Sequence, residues 1–600
     1  MTKTRTRRGK KTTAKRRGKP AATARVGAPY VTRNTTRTGG RTYSYVVLRY
    51  DEVDENGRKQ PRSLLSLGSE QQVDEERAKS LADVMRDFVR PGSTMTVEEL
   101  RALLGAAKPT LKILCSRQFG LRLLVEQAFA DLGFKEVLAE IDSESRAQFQ
   151  LERLVFGMVL QMVVSPGSKL RAAERLGDTV FYPEGDGMSV HHYYRALDLL
   201  QRHHERVEAK LRERLEAQGL EFKAKALDTT SSYFETDFDD LEWEQIARED
   251  DPDRQVPPVV NDPPLRMRGY SKDKQPNKPQ IVVEQVVSEG YVIDHQTHPG
   301  NTSDSSLLPK TAERLARLGL TDDVVLTADA GLNTARAREA LSFEDVDWVM
   351  GEGRSKTKLA KEVLRCGGRF SQSPDNPDLG YRAHKRGDRL FVVRRNRAER
   401  KRELRVVDRH VAKVRKVLAE SDRAEKPTSK VLTLMAHATY KRYVKRSKDD
   451  PERLVLNTKA VERAKREAGK SVISTSLLSL EPRLVDELYR LQFDVEDAFR
   501  TQKTGLNLRP IRHRRADRIK AHVLVAVMAL NVTRHIERKT GMTLFRLRDL
   551  LTSITVQQVE VGGRAGVTFW QTVELSSEQK AVFKKLGFDL PLPRFQAELA

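Results

Sequence analysis

YRLQFDVEDAFRTQK, residues 489–503, carries more readable chemistry than any other stretch of this chain. At 3.6 residues per turn it predicts a helix that sets Glu496 on one face with Tyr489, Gln492, Phe499, Arg500 and Lys503. Asp494 and Asp497 fall outside that face. One acid on a helix means little alone, but two others stand where apolar, β-rich runs break into polar residues: Asp228 in KALDTTSSYFE and Asp329 in VVLTADAGLNT. Both read as carboxylates at the ends of sheet strands. A turn cap in the Thr-rich segment explains Asp228 equally well, and Gly331 marks a turn after Asp329.

Outward from these acids, composition narrows the class. At 600 residues the chain exceeds what one core supports, so two to four domains are expected. A formal net charge of +24 favours polyanions such as nucleic acid over small acidic molecules. Only Cys115 and Cys366 are present, which disfavours a disulfide framework or a cysteine zinc site and fits a reducing cytoplasm. No apolar run reads as approaching the roughly 18 residues of a spanning helix, and no signal peptide is legible, so a soluble intracellular protein without a membrane partner is expected.

Seven segments are expected along the chain. Residues 1–41 are basic, lack Asp and Glu, and read as a disordered arm. Residues 42–72 form a β-hairpin module around the turn signal Glu55-Asn56-Gly57. Residues 73–220 carry helical periodicity and are expected as a helical DNA-binding domain. Residues 221–352 alternate strand-like and helical runs, the first part of an α/β core; within them Thr236 to Pro279 reads as a long exposed loop. Residues 353–480 read as a mixed, β-containing insertion. Residues 481–545 hold the Glu496 helix and the apolar run VLVAVMALNVTRHI, a core helix, and 546–600 is a short C-terminal tail.

Carboxylates from separate elements that converge can hold two hard divalent cations about 4 Å apart, the arrangement that clamps the attacking and leaving oxygens of a phosphodiester. All-oxygen donors suit Mg2+, with Mn2+ the alternative. Asp228, Asp329 and Glu496 are the residues expected in that catalytic and metal-binding role. With 84 Asp and Glu in the chain, most carboxylates are solvated surface groups, so spacing alone does not select this trio. Ser231 and Ser232 beside Asp228 have no His or Lys base placed to activate them and are set aside as nucleophiles.

Several separated blocks resemble the DDE transposases of bacterial insertion sequences, in particular the insertion-sequence-four superfamily and its subgroup with GYSKD and PGNTSD blocks. LDTTSSYFE resembles the first-acid motif, RGYSKDKQPNKPQIVV and HPGNTSD the middle blocks, and LTADAGLNT the second-acid motif. Tyr489, Gln492, Glu496 and Lys503 fall on the signature Y, two residues, R, three residues, E, six residues, K. The likeness runs from about Tyr43 to about Asn531. It implies an α/β fold with a ribonuclease-H-like catalytic core and a β-rich insertion, preceded by a helical domain and an N-terminal β-hairpin module. It also implies binding to terminal inverted repeats, cleavage at the element ends and transfer of the 3′ hydroxyls into target DNA, in the bacterial cytoplasm at the nucleoid, with a homodimer holding both ends. A metal nuclease without strand transfer and a catalytically inactive DNA-binding derivative are the alternatives.

By the same likeness Tyr489 and Lys503 would contact DNA. Gln492 departs from the signature arginine and cannot neutralise a phosphate, so its neighbours Arg490 and Arg500 are the candidates for that role. Downstream, LRPIRHRRADRIKAH packs Arg509, Arg512, Arg514 and Arg515 beside the acidic helix, where a phosphate track is expected. His513 and His522 lack partners at metal-ligand spacing and read as core or DNA-contact residues. Trp348, on an apolar strand, reads as core.

Overall fold

The computed structural model describes residues 25–26, 30–38, 41–53, 58–69, 111–250, 263–353, 357–421, 429–450, 453–561, 567–588 and 597–598. They fall into two compact units, one of residues 1–124, 177–181 and 539–600, the other of residues 125–176 and 182–538. Expectations for residues 70–110 and for the Glu55-Asn56-Gly57 turn lie outside the described residues.

In the first unit, β1 (Arg25–Val26), β2 (Tyr30–Thr38) and β4 (Lys59–Ser69) all pair antiparallel with β3 (Arg41–Val53). β3 and β4, which pair from Val53↔Lys59 to Tyr45↔Ser69, lie in the span expected as a hairpin. The arm expected to be disordered to residue 41 therefore includes a strand. YVTRNTTRT is rich in Thr, which fits a pleated surface, and it finds a partner in β3 from Arg41↔Thr38 to Arg49↔Tyr30. A second correction concerns β5 (Leu111–Gln118), a strand within the span expected to be helical.

The second unit opens with helices at Phe134–Glu144, Leu151–Val164, Val190–Arg202 and His204–Ala217, which follow the predicted periodicity. Its centre is a nine-stranded sheet. In chain order the strands are β6 (Ala224–Tyr233), β7 (Gln280–Ser288), β8 (Tyr291–Pro299), β9 (Val325–Ala328), β10 (Asp347–Glu352), β11 (Ser371–Gln372), β12 (Leu379–Arg386) and β13 (Arg389–Asn396). After a two-stranded ribbon of β14 (Val444–Arg446) and β15 (Leu454–Leu456), β16 (Lys470–Thr475) completes the sheet. The spatial order is β11-β12-β13-β16-β10-β9-β6-β7-β8. β6, β9 and β10 run parallel, and the other pairings are antiparallel. The expected insertion thus widens the main sheet, because LFVV of β13 and VI of β16 bury consecutive apolar residues on both of its faces. Val392 and Ile473 pack with Val349 of β10 and with Val485 of the Pro482–Arg490 helix, which seats that helix on the sheet.

The segment expected as an exposed loop, Thr236 to Pro279, contains a helix at Asp240–Asp250. Asp240 accepts from Arg266 Nε at 2.6 Å and from the backbone N–H groups of Leu265 and Arg266, all buried. That anchor ties the helix to the strand-like stretch Leu265–Met267, which leads into β7 through a Met267↔Gln280 bridge.

The apolar run in the last third forms the Ala516–Thr540 helix. It is long and apolar enough to cross a bilayer, contrary to the sequence expectation, with a mean hydropathy of 1.2 over its best window. That window is 89% buried within the protein, as a core helix is. The presumed tail is also structured: β17 (Thr555–Val561) pairs with β5 and with β18 (Val567–Thr572), and β18 pairs with β19 (Ala597–Glu598). Trp570 stacks edge-on with Phe181 at 5.0 Å and lies beneath Arg117.

Candidate active site

Parallel register aligns two of the three acids. The β6–β9 ladder ends at Leu227↔Ala328, so Asp228 and Asp329 are the next residues on adjacent strands whose axes are about 4.8 Å apart. Asp228 is mid-strand, because β6 runs on to Tyr233 in its pairing with β7; the expectation that it ends its strand holds only toward β9. On the other side of β9, Met350 is level with Ala328, which sets Gly351 beside Asp329.

The third acid arrives on a broken helix. Residues 482–490 and 492–500 are separate helices, followed by a π-helical turn at Thr501–Gly505. A single continuous helix from Tyr489 to Lys503 is therefore corrected. Gln492, Val495, Ala498 and Phe499 are the buried face of the second helix, and Glu496 lies exposed at its margin. Asp228, Asp329, Glu496, Tyr489, Gln492 and Phe493 line one pocket of about 150 Å³, with Arg394, Ser471, Asp486 and Arg490 completing its wall.

Each residue of the signature stretch has a definite partner. Tyr489 donates its hydroxyl to Asp329 Oδ1 at 3.2 Å. Burial, and then the charge of Asp329, hold that phenol well above its ordinary value, so it stays a donor. The approach depends on Gly351: a Cβ there would lie 2.5 Å from the Tyr489 hydroxyl and 3.1 Å from the Ala330 nitrogen. Gln492 is buried and donates to Thr327 Oγ1 at 2.7 Å, so the neutral residue in the arginine position braces β9 two residues before Asp329. Lys503 is largely buried, donating to Thr230 Oγ1 at 2.7 Å and to Asp273 Oδ1 at 2.9 Å.

Asp228 is raised to about 6, first by burial; Lys272 opposes the shift, while Asp329 and Asp304 add to it. Lys272 Nζ sits 3.7 Å from Asp228 and 3.1 Å from Asp304, and it donates to the carbonyl and hydroxyl of Thr229. Thr229 in turn donates to Asp304 at 2.7 Å. The GYSKD and PGNTSD blocks thus meet around the first acid. Gly269 and Gly300 allow it, since a Cβ on Gly269 would fall 2.1 Å from the Gly300 carbonyl oxygen. Ser231 accepts from the Lys272 backbone N–H at 2.9 Å.

Three carboxylates on one pocket, one of them raised by burial, are a donor set suited to a hard divalent cation. Among the described residues no three His, Cys, Asp or Glu side chains are already gathered as a metal-binding group. The acids share a wall rather than a preformed cluster of ligands.

The downstream arginines divide. Arg509 is paired with Asp273 at 2.7 Å and lies over Tyr233. Arg514 stacks on Trp243, Arg515 is 3.9 Å from Asp198, and Arg512 is exposed. Arg500 is exposed, pairs with Asp497 at 3.1 Å and does not line the pocket. His522 is buried, with Nε2 on the Leu508 carbonyl, and Trp348 is core, as read from sequence.

Sequence reasoning did not single out Lys272, Asp304, Arg394 or Asp486. The first two lay inside quoted blocks whose shared polarity was a usable signal; the last two sit in charge-rich surroundings with no local pattern to mark them. No curated protein matches the chain at a significant level. Residues 263–532, which include Asp329 and Glu496 and begin after Asp228, match the family model described as a transposase DDE domain, and this match supports a DDE transposase family for the chain.

Proposed function

We propose that this protein is a transposase that binds the terminal inverted repeats of its element, cleaves DNA at the ends and transfers the freed 3′ hydroxyls into target DNA. The observation that carries the reading is the level placement of Asp228 and Asp329 on adjacent parallel strands, with Glu496 on the same pocket. The order β8-β7-β6-β9-β10, with β6, β9 and β10 parallel, supports a ribonuclease-H-like core.

Asp228, Asp329 and Glu496 would hold two Mg2+ ions, or Mn2+. When bound, such ions supply charge neutralisation at the phosphodiester and activation of water or a 3′ hydroxyl. The chain's own residues do the rest. Tyr489 orients the Asp329 carboxylate through its hydroxyl, and Lys272 offsets part of the repulsion between Asp228 and Asp304. Lys503 and Arg509 converge on Asp273 and stiffen the floor beside β6. The exposed Arg512, Arg514 and Arg515 supply a basic track toward the flanking duplex. Two element ends held together require at least a homodimer, and action on the chromosome locates the protein at the bacterial nucleoid.

The test uses DNA bearing the inverted repeats that flank the gene. With Mg2+, the wild-type protein cleaves at the repeat ends and joins pre-cleaved ends to a plasmid. Asp228→Asn, Asp329→Asn and Glu496→Gln each lower cleavage by at least about 100-fold, as expected for groups acting at the reacting phosphate, while the affinity for the repeat stays within a few-fold. Cleavage without joined product leaves a nuclease, and binding without either leaves an inactive derivative.

A further inference from the structure

The pocket that holds the three acids is also lined by two arginines, Arg394 and Arg490. Asp486, on the Pro482–Arg490 helix, is 1% exposed, accepts hydrogen bonds from two residues and is ion-paired with a third. Tyr381 donates to its Oδ2 at 2.9 Å, Arg490 donates to Oδ2 from Nε at 3.2 Å and from Nη2 at 3.0 Å, and Arg394 Nε lies 3.2 Å from Oδ1. Burial, then the bond to Asp486, pushes the Tyr381 phenol up to about 12, so it adds no charge. Two guanidiniums therefore face one buried carboxylate. Arg394 also has Glu399, 4.0 Å from Nη1, too far for a hydrogen bond. Arg394 comes from β13 and is level with Ser471 on β16, so the guanidinium and a hydroxyl stand side by side on the pocket wall.

One guanidinium neutralises the buried carboxylate, while Arg490 and Arg394 keep 41% and 23% of their side chains exposed, open to a further anion. Gln492, neutral and bonded to Thr327, adds no cation to the pocket it lines. We infer that Arg394 and Arg490, aligned by Asp486, form a phosphate-binding clamp for a DNA backbone phosphate next to the one at the acids. Arg490, bonded to Asp486 through Nε and Nη2, and Arg394, ion-paired with Asp486 Oδ1, each leave N–H groups in a planar fork, the geometry that phosphate oxygens accept. Asp486 acts as a positioning residue: it holds both forks and does not touch DNA.

This inference rests on the transposase reading for the identity of the ligand, and its test is chosen to fail separately. Full-length protein is titrated, in EDTA and at several KCl concentrations, with a duplex carrying the flanking inverted repeat. Arg490→Gln and Arg394→Gln each weaken binding about 3- to 10-fold and reduce the slope of log K against log[KCl] by roughly 0.9, the value for one phosphate contact. Arg394→Lys and Arg490→Lys keep the slope and lose part of the affinity. On the wild-type protein, replacing single phosphates near the repeat end by uncharged methylphosphonates identifies one or two positions that weaken binding, and these lose their effect in the Gln variants. Unchanged slopes in both Gln variants, or a lower melting temperature with unchanged binding, would overturn the clamp and leave a purely structural network. Should Arg394→Gln fail to fold, the methylphosphonate profiles of Arg490→Gln and Arg394→Lys decide: profiles identical to wild type overturn it. Failure of the transposase reading looks different, as absence of cleavage and joining by wild-type protein while the Gln variants still lose slope.

Discussion

At the residue scale, small side chains set what the large ones can do. Gly351 is the clearest case, because the Tyr489 hydroxyl occupies the space a methyl group would need. Gly351→Ala is expected to displace Tyr489 from Asp329 and lower DNA cleavage by about 10- to 100-fold, a loss of some 1.4–2.7 kcal/mol in transition-state stabilisation. Cleavage assays on the variant check this, with circular dichroism as a control for folding; wild-type rates would show that the Tyr489–Asp329 bond is dispensable. Lys169 makes the opposite point. It is fully enclosed near His513 and His522, its Nζ has no hydrogen-bond partner among the described residues, and burial lowers it from 10.5 to about 7. Burial likewise lowers His513 to about 3 and His522 well below its ordinary value, so both stay neutral. For a base with a depressed folded value, the unfolded chain binds the extra proton between about pH 7 and 10.5, so stability rises with pH across that window. Lys169→Met is expected to stabilise the protein at pH 7 by up to roughly 4 kcal/mol and to flatten that rise. Thermal unfolding at pH 7 and pH 10 measures both; an unchanged melting temperature at pH 7 would count against it.

At the scale of elements, register and anchors were harder to foresee than the elements. Strand-like runs around Asp228 and Asp329 are legible because Val, Leu and Ala accumulate there, whereas the levelling of the two acids follows from a parallel ladder between residues a hundred positions apart. The helical phase of residues 489–503 grouped Tyr489 with Glu496 although the helix breaks at Leu491. The grouping survives because the Pro482–Arg490 helix packs on the sheet through Val485, which returns Tyr489 to the pocket. The Asp240–Asp250 helix was missed because Asp and Pro dominate its neighbourhood, and its stability comes from a tertiary ion pair rather than from propensity. Asp240→Ala removes one partner of a buried pair and leaves two backbone N–H groups unmatched; it is expected to cost about 3–5 kcal/mol. A fall in the thermal midpoint, together with weaker cleavage because Leu265–Met267 leads to Lys272, is the signature; an unshifted midpoint would refute the anchor.

At the scale of the whole molecule, chain ends are part of the fold. β5 and β17 pair from Leu111↔Val561 to Gln118↔Thr555, more than 400 residues apart in sequence, and Trp570 completes the core with Phe181. Truncation after Leu551 is therefore expected to leave β5 with an unpaired edge and Phe181 uncovered, and to give aggregated protein, as size-exclusion chromatography and soluble yield would report. Recovery of a soluble, binding-competent monomer in normal yield would contradict that expectation. Net charge, the alternation of helical and strand-like runs, and the motif blocks that name the three acids were all present in the linear chain, since periodicity and charge are local properties. Which acids stand level, why Gln492 turns inward and how Asp486 comes to face two arginines depend on sheet order and side-chain burial. Those contacts join residues tens to hundreds of positions apart, and their energies arise only when the chain closes around them.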